Sequence, residues 1–110
     1  MKVSVLGTEY EVVFATEAED KILADRDGYC DWTARKIVVQ GDMSGSDLSE
    51  VDVYRKKVLR HEIVHAFLFE SGLAENSKRS NAWAMNEEMV DWIAVQAPKI
   101  VLAWHEAGAL

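Results

Sequence analysis

His61, Glu62 and His65 are the residues of this 110-residue chain whose types and spacing could do chemistry. Positions i and i+4 of an α-helix lie on one face, a single turn apart. The two imidazoles of His61-Glu62-Ile63-Val64-His65 can therefore grip one divalent ion, usually zinc, if the segment is helical. Glu62 then sits beside the open coordination position, where it can take a proton from water. Catalytic zinc usually takes three protein ligands, so a third must come from elsewhere in the chain. Asn86-Glu87-Glu88-Met89-Val90-Asp91 supplies the candidates, with 21 residues between His65 and Glu87. That gap lets one helix end, the chain reverse and a second helix face the first. Glu87 and Asp91 are one turn apart, so Glu87 could reach the metal while Asp91 accepts a hydrogen bond from the outer nitrogen of a ligand imidazole. Glu88 is the rival ligand, about 100° around the helix; Asp91 at i+4 favours Glu87.

Other reactive or aromatic residues carry weaker signals. His105 could donate to an oxyanion but reads as a surface residue. Cys30 could approach the metal, yet reads as a small buried or half-buried side chain. Tyr54, on the ligand side of the motif helix, fits a cleft wall and a core position equally. Trp32, Trp83, Trp92 and Trp104 read as packing anchors.

The elements that must position the site follow from pattern. Val3, Val5, Tyr10, Val12 and Phe14 alternate with polar residues around Gly7-Thr8, which predicts an opening β-hairpin. Thr16-Glu17-Ala18-Glu19 fits a capping box for a short helix through Leu23. Asp27-Gly28 marks a turn. Tyr29 to Thr33 and Lys36 to Gln40 form a second predicted hairpin, and residues 41–49 a loop. A long helix is expected from Ser49 or Glu50 to Ser71, ended by Gly72. Its Leu59, Ile63, Ala66 and Phe67 form the predicted core face, with Tyr54, His65 and Leu68 towards a cleft. After a polar loop over 73–81, a helix from Ala82 to Gln96 is expected, then an interruption at Pro98 and a separate helix to Glu106.

Composition bounds the rest. With 49% apolar and 28% charged residues, the chain is expected to be one globular domain spanning residues 1–110. A net charge of −7 argues against nucleic acid as a partner; Arg55-Lys56-Lys57 with Arg60, and Lys78-Arg79, are short basic groups flanked by acids. No apolar run approaches the ~20 residues of a membrane span, so no membrane partner is expected. Met1 to Gly7 does not read as a signal peptide, and one cysteine suits a reducing compartment. Cytoplasmic residence is the expectation.

His61-Glu62-Ile63-Val64-His65, then Asn86-Glu87, then Asp91 resembles the gluzincin metallopeptidases, especially the very small ones encoded by phages and mobile elements. The resemblance covers about residues 61 to 91. It implies an α+β fold, a minimal zincin-like domain: a small N-terminal antiparallel or mixed sheet, a central HExxH helix and a following glutamate-ligand helix. It implies one zinc ion held by His61, His65 and Glu87, with Glu62 as general base and acid and Asp91 supporting His61. It also implies a peptide or protein substrate lying along an edge strand, for which residues 29–40 are the candidate region. A phage-encoded member would reside in the host cytoplasm. The larger members' oxyanion-stabilising His or Tyr has no assigned equivalent. Two alternatives stand beside the hydrolase: a non-catalytic or latent zinc-binding accessory protein acting through protein contacts, and a cleft closed by the tail Pro98 to Leu110.

Overall fold

The computed structural model describes residues 1–77 and 82–110. The predicted basic pair Lys78-Arg79 and the end of the predicted 73–81 loop lie outside the described residues.

Strands β1 (Lys2–Val5) and β2 (Thr8–Ala15) form the opening antiparallel hairpin. The turn falls on Leu6-Gly7, one residue earlier than expected. Both residues have positive φ, 50° and 84°, and such turns match the twist of the flanking strands. The capping-box contact forms, with the Glu19 carboxylate accepting from the Thr16 amide at 3.0 Å. It closes only a turn, however. Asp20 then caps a 3-10 helix, Lys21–Asp25, by accepting from the Ile22 amide at 3.1 Å. With Leu23 as its one buried residue, this segment has no apolar stripe to sustain an α-helix.

Strands β3 (Gly28–Asp31) and β4 (Lys36–Gln40) make the second hairpin, and β4 also pairs in parallel with β2. The mixed sheet has the order β1-β2-β4-β3. Burial on both faces explains the unbroken run Ile37-Val38-Val39. Ile37 and Val39 join Val5, Tyr10, Val12, Val58 and Ala66 in the main core, while Val38 packs with Ala15 and Leu23 on the other face. Of the region 29–40 expected at the edge, only β3 is an edge strand; β4 lies inside the sheet.

Helix α1 (Val51–Glu70) ends as expected, with Gly72 at φ 84° and the Ala74 amide donating to the Leu68 carbonyl. Its buried stripe is Val58, Glu62 and Ala66. Leu59 and Ile63 only flank the core, and Phe67 is exposed. The helix is thus rotated from the predicted core face, and the motif glutamate turns towards the sheet. Gly28 permits this close approach: a Cβ there would lie 2.9 Å from the Val38 carbonyl oxygen and 3.0 Å from a Val58 methyl.

Helix α2 (Glu87–Glu106) begins later than predicted, after a 3-10 turn at Trp83–Met85. Asn86 caps it, accepting from the Met89 amide at 2.8 Å. Val90 packs with Leu68, Ala74 and Ala84 in a second core. Pro98 lies inside α2 and does not interrupt it. A proline there removes the donor for the Ala94 carbonyl, and the Arg60 guanidinium of α1 replaces it at 2.5 Å. Beyond Ile100 the helix is exposed, Val101, Leu102 and Trp104 included. Trp83 and Trp92 are also largely exposed, so three of the four predicted tryptophan anchors bury little. Among the described residues, Trp32 is the one tryptophan that stacks on another aromatic ring, on Phe69 at 5.8 Å between ring centroids. No described helix is long and apolar enough to cross a membrane.

Candidate metal centre

The antiparallel pairing of α1 with α2 brings the chemistry-bearing residues together. One turn of α1 sets the His61 and His65 rings 5.0 Å apart. Ligand-type atoms of His61, Glu62 and His65 all lie within 4.8 Å of one another. From the first turn of α2, Glu87 reaches both imidazoles. One carboxylate oxygen is 2.7 Å from His65 Nε2 and the other 3.3 Å from His61 Nε2. Two Nε2 atoms converging on one carboxylate form the donor set that suits a divalent ion, two neutral nitrogens and an anionic oxygen. Glu88 makes no ion pair with either histidine among the described residues, whereas Glu87 pairs with both.

Asp91 approaches His61 from behind, its Oδ1 3.1 Å from Nδ1. This leaves Nε2 facing Glu87, the orientation a ligand imidazole needs. Lys57 donates to the same Asp91 oxygen at 3.0 Å. Burial pulls the Asp91 carboxyl up, but the hydrogen bonds and charges of Lys57 and His61 outweigh it and hold Asp91 below the usual carboxylate range. Burial lowers His65, against the pull of Glu87, and so favours the neutral ring that metal binding requires.

Glu62 has the opposite surroundings. It is 7% exposed, and burial pushes its carboxyl up to about 7, opposed by the charge of His61. No described residue donates a hydrogen bond to it, and its oxygens open into a cleft rather than being sealed. An unpaired carboxyl that exchanges its proton near neutral pH is suited to general acid–base work.

That cleft, about 420 Å³, runs between β3 and the ends of the two helices, with Gly28, Tyr29 and Cys30 on the strand side. A larger depression of about 610 Å³ lies past Arg26 and carries neither histidine. Cys30 is half-buried, and burial pushes its thiol up to about 12, so it is neither a ready nucleophile nor a ready ligand. Tyr54 packs partly against the main core and donates its hydroxyl to Asp27, and it lines the smaller hollow beside His61 rather than the cleft itself. His105 is exposed near the far end of α2, away from the site. No residue from 98 to 110 lines the cleft, so the tail does not close it.

Sequence reasoning missed Arg26. It follows the 3-10 helix, leads into β3, and is the one Lys or Arg among the described cleft-lining residues. A lone arginine in a loop has no spacing partner, so only the fold shows where it stands.

The arrangement is gluzincin-like: an HExxH cluster on one helix, with a glutamate from the next helix meeting both histidines, in a small α+β fold. No protein-family model, curated protein or solved structure matches the chain, so the likeness rests on the site's own residues.

Proposed function

We propose that this chain is a zinc-dependent metallopeptidase, with His61, His65 and Glu87 as metal ligands, Asp91 as the support of His61, and Glu62 as general base and acid. The observation that carries the reading is the contrast within the cluster. The histidines and Glu87 converge on one point, while the adjacent Glu62 is buried, unpaired and free to exchange a proton. A purely structural metal site has no need of such a carboxyl.

Zinc, when bound, would supply a Lewis acid that acidifies water and polarises the scissile carbonyl. Asp91 keeps His61 in the tautomer whose Nε2 lone pair faces Glu87. Glu62 takes the proton of the attacking water on its carboxylate and returns it to the leaving amine. β3 offers its free edge beside Glu62, where an extended peptide can add as a strand. The substrate is accordingly a peptide or an extended protein segment.

Metal analysis of wild type, Glu87→Ala and Glu88→Ala, with a cleavage assay over a peptide library, tests this reading. Wild type and Glu88→Ala should hold about one zinc and cleave, while Glu87→Ala should lose both. A zinc-loaded wild type that cleaves no peptide would make the chain a zinc-binding protein acting by contact alone.

A further inference from the structure

Hydrolysis of a peptide bond needs a group to meet the negative charge that develops on the carbonyl oxygen. Water forms a bond from its oxygen to the carbonyl carbon, and the C=O π pair moves onto the carbonyl oxygen. When that pair returns, the C–N bond breaks and the amine leaves with the proton held by Glu62. A donor aimed at the transient oxyanion acts on the transition state more than on the substrate.

The donors near Glu62 are few. Tyr29 lies on the cleft wall, but its hydroxyl donates to Asp20. Tyr54 and Lys57, beside the His61 end of the site, donate to Asp27 and to Asp91 respectively. Each imidazole Nε2 is turned to Glu87. Cys30 offers only a weak thiol donor. The free edge of β3 is where an extended substrate's backbone would pair.

Arg26 remains. Its one ion pair is through Nε to the neighbouring Asp25 at 3.2 Å, with both side chains about half exposed or more. Such a pair holds a guanidinium weakly, and its terminal nitrogens have no partner among the described residues. Its backbone is extended, φ −154° and ψ 158°, and leads through Asp27 into Gly28 of the edge strand. Arg26 therefore stands at the head of the edge strand, on the cleft that Glu62, His65 and Glu87 also line. Its charge also reaches Glu62, where it favours the ionised form.

Resting on the peptidase reading, we propose that Arg26 donates to the carbonyl oxyanion, the duty that the larger gluzincins give to a downstream His or Tyr. Arginine suits it: the head is always charged and presents several donors in a fixed plane.

The test uses the full-length, zinc-loaded chain as wild type, Arg26→Ala and Arg26→Lys. Each is assayed on a peptide that wild type cleaves, and by calorimetry for a phosphonamidate peptide, whose anionic tetrahedral centre mimics the oxyanion. Expected for Arg26→Ala is a kcat lower by about 10²–10³, with KM and zinc content nearly unchanged and phosphonamidate affinity weakened by a similar factor. Arg26→Lys should recover part of the loss, as should added guanidinium ion with Arg26→Ala. A kcat within about threefold of wild type, or a loss confined to KM, overturns the proposal. If wild type binds zinc but cleaves nothing, the peptidase reading fails separately. Equal phosphonamidate affinities for wild type and Arg26→Ala then overturn the role of Arg26. No phosphonamidate binding to zinc-loaded wild type overturns both.

Discussion

Glu62 and Glu70 stand two turns apart on α1, and the fold treats them in opposite ways. Glu70 accepts from the Tyr10 hydroxyl at 2.7 Å and pairs with Arg35 at 3.0 Å, so it ties the end of the helix to β2 and to the β3–β4 turn. The Tyr10 hydrogen bond, with Arg35 beside it, holds its carboxyl below the usual range. Glu62 is buried with no such partner, and its carboxyl rises to about 7. Identical side chains on one helix thus become a latch and a proton carrier. The difference is whether neighbours satisfy the carboxylate, which separates groups that hold a fold from groups that act.

Glu62→Gln breaks this comparison most strongly. It keeps shape and removes the proton carrier, so turnover should fall about 10²–10⁴-fold with zinc still bound. Steady-state kinetics alongside metal content checks it, and a fully active Glu62→Gln protein sinks the mechanism. Glu70→Gln should leave kcat within about twofold, since Glu70 is absent from the walls of the cleft.

The pH dependence of folding sharpens the same contrast through its sign. Between 4.5 and about 7 the folded, metal-free chain keeps a proton on Glu62 that the unfolded chain has released. The Glu62 contribution to stability therefore falls as pH rises through this window, while the lowered His65 contributes in the opposite sense below 6.5. The Glu62 contribution amounts to about 3 kcal/mol above pH 7, because each tenfold change in proton affinity is about 1.4 kcal/mol. Glu70 acts in reverse: its stabilisation is present above 4.5 and is lost as pH falls through its lowered folded value. Denaturant midpoints of metal-free protein from pH 3 to 8 should show both slopes. Glu62→Gln should remove the upper one and Glu70→Gln should reduce the lower.

Arg60 extends the comparison to a cation on the same helix, and it also shows what the sequence left illegible. The HExxH spacing, the long helix ended by Gly72, and the placing of Glu87 and Asp91 on one helix face are legible because each depends on residues within one or two turns. Pro98 reads as a break because its remedy lies on another helix, in the Arg60 guanidinium that meets the Ala94 carbonyl 34 residues on. The rotation of α1 was illegible for a similar reason. Gly28, from another strand, makes room for Val58 and Glu62 against the sheet. Arg60→Met should cost about 1–3 kcal/mol, the usual penalty for a buried acceptor left unsatisfied. Pro98→Ala, which restores the amide donor, should recover most of it. A chemical-denaturation cycle over the two single variants and the double variant measures this coupling, and additive effects would remove Arg60 from the role.

Tyr10→Phe is the mildest change and tests the latch itself. The ring is fully buried and would stay so, while Glu70 keeps Arg35 and gains access to water. The expected loss is about 1 kcal/mol, the net worth of one hydrogen bond to a charged, partly exposed acceptor. Relieved of its donor, the Glu70 carboxyl should titrate closer to 4.5, which carbon-detected NMR of the side chain reads directly. Glu62 should still titrate near 7, because its value comes from burial and from His61 rather than from the latch. If Tyr10→Phe moved both carboxyls together, the two ends of α1 would be one coupled unit, and the division between latch and proton carrier would fail.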